Sequence, residues 1–296
     1  MQSAPPPPIA FRTRQGLVLR GVRWGAGPRP VLFTHGNGFT VQCYARALQA
    51  LLPGCQVHAL NLRGHGGSDV PADYPDWSGP MQDMLEFIRA LGAGPVLLAG
   101  HSYGATLSLW LAAQAPELVS GLLLMEPVVL AQRGQPWPPA DMPARQAMLR
   151  DTRERRAAWP SREEASQWLR GRGTYRTWAP AAWEEFIASG FIAAADGTVR
   201  LACPPWLEAA AYATHPDGEM FDWAQQVRVP AVFLHGTSLA PVQRQALQEL
   251  AGLIPISAVY ALSGGHCFAM EHPRATGRAL AEGLALIERA LAPSPA

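Results

Sequence analysis

The 296-residue sequence contains no lysine, and all 24 of its basic residues are arginine. These arginines are scattered along the chain, and 23 acidic residues offset them to leave a formal net charge of +1. A nucleic-acid-binding protein needs a basic surface, and an anionic membrane surface likewise attracts clustered basic residues. The charge balance therefore argues against both kinds of partner.

Long apolar runs and paired cysteines are also missing. The best candidate for a membrane segment, LLLMEPVVL, is interrupted by Glu126 and is far shorter than the roughly 18 apolar residues that a spanning helix needs. The four cysteines, Cys43, Cys55, Cys203 and Cys267, form no CxxC pair and no zinc-finger spacing. The N-terminus MQSAPPPPIAFR does not resemble a signal peptide. We therefore expect a cytoplasmic protein without a disulfide framework.

Strand-like apolar runs alternate with helical patterns at both ends of the sequence. The strand-like runs occupy residues 17–24, 30–35, 56–62, 95–100, 121–126, 231–236 and 257–263. Helical patterns lie near residues 41–52, 79–91, 106–114, 241–252 and 273–291. This alternation predicts an α/β fold with a mostly parallel, doubly wound sheet and helices on both faces.

The alternation stops between about residues 131 and 225. Here the chain is rich in tryptophan and arginine, with helical patterns near 143–157, 161–170 and 180–189 and no strong apolar strand. We therefore divide the chain into a sheet domain, residues 1–130 and 226–296, and an inserted helical segment, residues 131–225.

The sequence Gly100-His101-Ser102-Tyr103-Gly104 lies directly between a strand-like run and a helical pattern. This is the context of the G-x-S-x-G turn that presents a nucleophilic serine. Small residues at its two ends leave room for neighbouring segments of the backbone to pack against so tight a turn. The N–H groups and the dipole of the following helix would face the reacting oxygen. Ser102 is therefore the candidate nucleophile.

This motif and three others resemble the α/β-hydrolase superfamily, over most of the chain outside the insertion. His35-Gly36-Asn37-Gly38 is similar to the family's HG-x loop. Residues 61–68, NLRGHGGS, resemble the D-x-R-G-x-G-x-S stretch, with Asn61 in place of the usual Asp. Gly264-Gly265-His266 follows the last strand-like run, where the family carries its catalytic histidine.

The resemblance implies a role for each of these residues. Ser102 would attack an acyl carbonyl after His266 takes its proton, and His266 would later protonate the leaving group. The backbone N–H groups of Tyr103 and Asn37 would hold the oxyanion. Two alternatives stay open for Asn37: its side-chain amide is the donor, or it is only a turn residue.

The acid that would orient the histidine is missing from its usual place. In most of these enzymes an Asp follows the strand that ends here at His235-Gly236. The corresponding stretch, Thr237–Pro241, contains no carboxylate, and none occurs from residue 231 until Glu249.

The superfamily offers a second place for the acid, at the end of the sixth strand, where Glu126 stands. Glu126 lies 24 residues after Ser102, a layout that resembles haloalkane dehalogenases with a Glu acid there. We therefore predict a Ser-His-Glu triad. The alternative is that Glu126 only caps a loop before Pro127.

The inserted segment resembles the helical cap that roofs the active site in this superfamily. It contains seven of the ten tryptophans: Trp137, Trp159, Trp168, Trp178, Trp183, Trp206 and Trp223. We expect two or three of them to line a pocket and the rest to pack. An aromatic roof suits a hydrophobic or aromatic small-molecule substrate.

The remaining polar residues suggest structural roles. We expect His35 and His101 to hold loops by hydrogen bonds. We also expect Arg150, Arg153, Arg155 and Arg156 to form a solvated helix face, because acids are interleaved with them. The sequence has no HExxH motif, no G-x-G-x-x-G and no P-loop, so we predict neither a metal nor a cofactor.

Three functions remain open. The leading one is a serine hydrolase of an ester or a related acyl compound, such as a lactone or thioester. The second is a carbon–carbon bond hydrolase of a diketone-like substrate, and the third is a ligand-binding receptor on a hydrolase scaffold. A dehalogenase or epoxide hydrolase is disfavoured, because those relatives use Asp where this chain has Ser102. The sequence leaves the oligomeric state open.

Overall fold

Eight strands form the central sheet of the computed structural model, which describes residues 5–130, 132–135, 142–216 and 218–292. In chain order the strands are β1 Pro8–Arg12, β2 Val18–Trp24, β3 Arg29–Thr34, β4 Cys55–Leu60, β5 Val96–His101, β6 Val119–Met125, β7 Ala158–Trp159, β8 Phe191–Ala193, β9 Val199–Leu201, β10 Ala231–Gly236 and β11 Ser257–Leu262. Strands β7, β8 and β9 form a separate small sheet. The predicted α/β fold is confirmed.

The strand order of the central sheet is β1-β2-β4-β3-β5-β6-β10-β11. Strand β2 runs antiparallel to its neighbours β1 and β4, and the other neighbouring pairs are parallel. Parallel strands end at the same edge of a sheet, where α/β proteins build their sites. The loops after β3, β5, β6, β10 and β11 therefore leave one edge together.

Helices cover both faces of this sheet. They are α1 Ala45–Leu48, α2 Ser78–Leu91, α3 Tyr103–Gln114, α4 Met142–Glu154, α5 Arg162–Leu169, α6 Pro180–Ser189, α7 Pro205–Ala213, α8 Glu219–Gln226, α9 Pro241–Gly252, α10 Phe268–Glu271 and α11 Pro273–Leu291. Strand side chains alternate between the two faces. Leu122 and Leu124 pack in the core that contains α2, α3, α8 and α9, whereas Leu123 and Met125 face α1 and α11.

The inserted segment contains α4 to α7 and the small antiparallel sheet, in the order β7-β9-β8. These strands have only two or three residues each, so no apolar run marks them in the sequence. Helix α8 packs against α3 of the sheet domain. The boundary that we placed at residue 225 therefore lies inside α8.

Among the residues that the structure describes, no helix has both the length and the apolar character needed to cross a membrane.

Candidate active site

Ser102 occupies a strained turn between β5 and α3. Its backbone has a positive φ of 53° with ψ −113°, a conformation that residues with side chains rarely adopt. The turn closes because Gly100 and Gly104 lack side chains: a Cβ on Gly104 would lie 2.5 Å from the carbonyl oxygen of Thr34. Such strain is concentrated at functional sites. The predicted position of Ser102 between a strand and a helix agrees with this geometry.

Glu126, directly after β6, contacts His266 from the loop after β11. Its Oε1 accepts a hydrogen bond of 2.6 Å from His266 Nδ1, and its Oε2 accepts one of 2.7 Å from the backbone N–H of Gly236. Its side chain is 6% exposed, whereas that of His266 is 46% exposed. The backbone of Glu126 also has a positive φ, 44°. Both carboxylate oxygens of Glu126 thus accept hydrogen bonds from other residues of the protein.

The charge of Glu126 is stabilised where it lies. Burial raises the pKa of this carboxyl, but the hydrogen bond and charge of His266, together with the hydrogen bond from Gly236 and the nearby His101, hold the pKa below its ordinary value. An ionised acid on Nδ1 leaves the other imidazole nitrogen, Nε2, to act as the base.

Ser102 and His266 border the same cavity, but the described structure contains no hydrogen bond between the serine hydroxyl and the imidazole. In enzymes without bound substrate this contact is often long and tightens only in the complex. The structure thus brings the three predicted triad residues to one edge of the sheet, with the acid–histidine contact formed.

The loop after β3 presents one unused amide. The N–H of Gly36 donates to Tyr44 Oη at 3.1 Å, and that of Gly38 donates to His65 Nε2 at 3.1 Å. The N–H of Asn37, between them, has no acceptor within the described residues. Since Asn37 also borders the cavity, its backbone amide is a candidate donor to a bound oxyanion.

The side chain of Asn37 is engaged elsewhere. Its Nδ2 donates to the backbone carbonyl of Glu208, on α7, at 2.9 Å. The geometry therefore favours the backbone over the side-chain amide as the donor. Tyr103, the other predicted donor, begins α3 and also borders the cavity. The first N–H groups of a helix have no partner within it, so the amide of Tyr103 is available.

A directed chain of hydrogen bonds joins this loop to the histidine. The hydroxyl of Tyr44, which accepts from Gly36, donates to His101 Nδ1 at 2.7 Å, and His101 Nε2 donates to the backbone carbonyl of His266 at 2.8 Å. Burial lowers the pKa of His101 to about 3, so its imidazole is neutral and can both accept and donate. The predicted loop-holding role of His101 agrees with these contacts.

A second neutral histidine fixes the other end of the loop. Burial lowers the pKa of His65 to about 4, and its Nδ1 donates to the carbonyl of Arg63, which leaves Nε2 to accept from Gly38. Sequence reasoning assigned no role to His65 or Tyr44. The usable signal for His65 was its place in the NLRGHGGS stretch; Tyr44 carried none.

The cavity at the site has a volume of about 590 Å³. Its lining is mostly apolar and includes Trp77, Pro127, Val128, Val129, Leu130, Met148, Leu239 and Leu247. Polar groups also reach it, among them Arg145, Tyr212, His215 and Gln243. Helices α4 and α7 of the inserted segment thus form part of its wall.

No tryptophan of the inserted segment that the structure describes borders this cavity, so our expectation of two or three is wrong for them. Trp159, Trp178 and Trp183 are buried in an aromatic cluster with Phe186. Trp223 is buried in the sheet domain's core. Trp137 lies outside the described residues. These rings stabilise the segment because of their large apolar area, which composition alone cannot distinguish from pocket lining.

The expected solvated arginine face is also wrong at Arg155. This residue follows α4 and forms a bidentate ion pair with Glu208, whose side chain is buried. Arg156 lies over the rings of Trp159 and Trp168, at 5.3 and 5.1 Å from their centroids. The Arg155–Glu208 pair helps to fix α7, which carries the carbonyl that holds Asn37.

Comparisons with known proteins agree with this architecture. A family model described as alpha/beta hydrolase fold matches residues 29–273. Epoxide hydrolase 3 of Xenopus tropicalis is 32% identical over 97 residues, which is 32% of this chain and 26% of that protein. Lipase LipV of Mycobacterium tuberculosis is 32% identical over 114 residues, 36% of this chain and 41% of that protein. The chain thus matches less than half the length of these relatives.

A solved structure of E-2-(acetamidomethylene)succinate hydrolase superposes with a TM-score of 0.78. It covers 94% of this chain and 99% of its own, at 23% sequence identity, so the likeness concerns the fold.

Proposed function

The chain belongs to the α/β-hydrolase family, and within that family we propose that it is a serine hydrolase. Its reaction would be the cleavage of an ester or a related acyl bond, such as a lactone or thioester, in a hydrophobic small molecule. The observation that carries the proposal is the contact of Glu126 with His266 beside the strained Ser102 turn.

In the proposed reaction, the Oγ of Ser102 attacks the acyl carbonyl while Nε2 of His266 accepts its proton. Glu126 holds Nδ1 protonated and stabilises the imidazolium that results. The negative charge on the carbonyl oxygen meets the amides of Asn37 and Tyr103, and each such donor contributes about 3–4 kcal/mol to transition-state stabilisation. The imidazolium then protonates the leaving group. In deacylation, His266 accepts a proton from water as the water attacks the acyl carbon, and the imidazolium then returns a proton to the Oγ of Ser102 as its bond to the acyl carbon breaks.

The apolar cavity supports a hydrophobic acyl group. Val128, Leu130 and Leu247 border it along with the triad, and an apolar wall with a few polar groups is typical of small-molecule sites. We further propose that α4 and α7 act as a cap, because Met148 on α4 and Tyr212 on α7 complete the wall.

The test is a panel of p-nitrophenyl esters of increasing acyl length, with Ser102→Ala as the control, together with a fluorophosphonate probe. We expect turnover by the wild type, none by Ser102→Ala, and a phosphonylated peptide that contains Ser102. Labelling without turnover of any ester would favour the carbon–carbon bond alternative. Equal labelling of both proteins would rule out Ser102 as the nucleophile.

A further inference from the structure

A second cavity, of about 670 Å³, borders His266. We call it the polar groove. Its walls are the turn at Gly173–Thr177 in the inserted segment, the loop that contains Ser238, the residues around His266, and the end of α10. His266 thus borders both the apolar cavity and the polar groove. Nearly half of its side chain is exposed, 46%, although Ser102 and Glu126 are buried.

Hydrogen bonds hold the walls of the groove together. Glu271 accepts from the hydroxyl of Thr177 at 2.8 Å with one oxygen and from the N–H of Gly265 at 2.9 Å with the other. Thr174 and Cys267 make a further contact of 2.9 Å between Oγ1 and Sγ. The inserted turn is thus attached directly to the loop that carries His266.

The groove differs from the apolar cavity in its chemistry. Hydroxyl and charged groups line it, and the guanidinium of Arg176 is exposed. In the described part of the chain, Arg176 makes no ion pair or side-chain hydrogen bond. The one carboxylate at the groove, that of Glu271, has both oxygens occupied by the wall contacts. Arg176 is therefore a cation available to a ligand.

The proposed reaction indicates which part of a substrate this groove would meet. The bond from Ser102 Oγ to the acyl carbon forms as the bond from that carbon to the leaving oxygen or sulfur breaks, and His266 gives its proton to the leaving atom. The leaving group must therefore lie beside His266, whereas the acyl group occupies the apolar cavity. The polar groove borders the same histidine.

We propose that the polar groove binds the leaving group, and that Arg176 recognises an anionic group on it, such as a carboxylate or phosphate. This inference rests on the proposed serine hydrolase function. It narrows the substrate class to an apolar acyl group joined to a polar, anionic alcohol or thiol.

The experiment uses two esters with the same acyl group, a 4-acyloxy-3-nitrobenzoate and its neutral methyl ester, both of which release a coloured phenol. The methyl ester releases the more acidic phenol and is intrinsically more reactive, so each kcat/KM is divided by the rate constant for hydroxide hydrolysis of the same ester. On this scale we expect the wild type to prefer the anionic ester by about two- to fivefold, the range of an exposed ion pair. The preference should fall as salt is added, because salt screens exposed charges. Arg176→Gln should bring the ratio close to one, and Arg176→Glu should invert it.

The matched control is Arg170→Gln, an exposed arginine of the same segment that does not border the groove. It should keep both the preference and its salt dependence. An unchanged ratio in Arg176→Gln, or a wild type that prefers the neutral ester, would overturn the role of the groove. If neither ester is cleaved and the fluorophosphonate probe does not label Ser102, the proposed function itself has failed.

Discussion

The loops after β6 and β10 leave the same sheet edge from neighbouring parallel strands, yet only the first carries a carboxylate. Met125 lies opposite Leu234 in the register of the two strands, so Glu126 lies next to the end of β10. The N–H of Gly236 donates to Glu126 directly. The loop after β10 instead places Leu239 at the cavity, and Thr237 accepts from the N–H of Gly264 at 3.4 Å.

In the proposed triad, the orienting acid is defined by its position in space and not by its strand. Because the two strands are adjacent, a carboxylate at the end of either one can approach the histidine after β11. If Glu126 is the acid, as we propose, the loop after β10 is free to contribute an apolar side chain, Leu239, to the cavity.

The largest expected effect comes from Glu126→Gln. Two donors, His266 Nδ1 and the N–H of Gly236, need acceptors at this position, and glutamine offers only one oxygen. Loss of the correct tautomer should reduce kcat on the order of 10⁴-fold, as amidation of the acid does in a serine-protease triad. Steady-state kinetics with the preferred ester measure it, and a circular dichroism spectrum equal to that of the wild type shows that the fold is kept.

An acid on the other loop should restore part of this loss. Leu239→Asp in the Glu126→Gln background places a carboxylate after β10, and we expect kcat to rise roughly tenfold over the single variant. Leu239→Asn in the same Glu126→Gln background is the matched control and should not raise kcat. An Asp variant no faster than the Asn variant would show that the two loops are not interchangeable.

The hydrogen-bond chain from Tyr44 through His101 to the backbone of His266 should affect catalysis separately from Glu126. Tyr44→Phe leaves the N–H of Gly36 and the Nδ1 of His101 without a partner, and buried unpaired groups cost about 1–3 kcal/mol each. We expect kcat to fall about five- to tenfold, with little change in KM, because the loop that carries Asn37 and the backbone of His266 both lose a fixed position.

Tyr175→Phe is the control for this variant, because Tyr175 lies in the aromatic cluster with Phe186. It should leave kcat unchanged. If both variants lose stability but neither loses kcat, the hydrogen-bond chain is structural only.

The smallest expected effect is on stability in acid. The folded-state pKa of Glu126 is lowered from 4.5, so its charge contributes stability above that pH, and the contribution is lost as the pH falls through the folded pKa. The difference in free energy of unfolding between wild type and Glu126→Gln should therefore shrink below about pH 4.5. Urea titrations between pH 7 and 3 measure it; a difference that grows towards low pH would contradict the assigned shift.

The central strands were predictable because they are buried on both sides. Continuous apolar runs mark β3, β5, β6 and β10. Strand β1 was missed because it is an edge strand in which exposed and half-buried residues alternate. Helix α7 was missed because alanines fill its middle and leave no clear apolar repeat of 3.6 residues. Strands β7 to β9 have only two or three residues each, too few to show an alternation.

The candidate site was predictable where its chemistry depends on local sequence. Ser102 lies within a motif, and Glu126 was inferred from the absence of an acid between residues 231 and 248. The contacts of Tyr44 and Glu208 with the Asn37 loop were not predictable from the sequence, because tertiary packing brings these residues together from distant parts of the chain. The polar groove likewise depends on a turn of the inserted segment that no pattern marks.

The most direct test of the triad is the second-order rate constant for phosphonylation of Ser102 by a fluorophosphonate, followed by mass spectrometry. It reports activation of the serine without any need to know the substrate. Glu249→Gln, which changes the first carboxylate after β10, is the matched control. We predict equal rates for the wild type and Glu249→Gln, and a rate at least about 100-fold lower for Glu126→Gln. Equal rates for the wild type and Glu126→Gln would contradict a Ser102-His266-Glu126 triad.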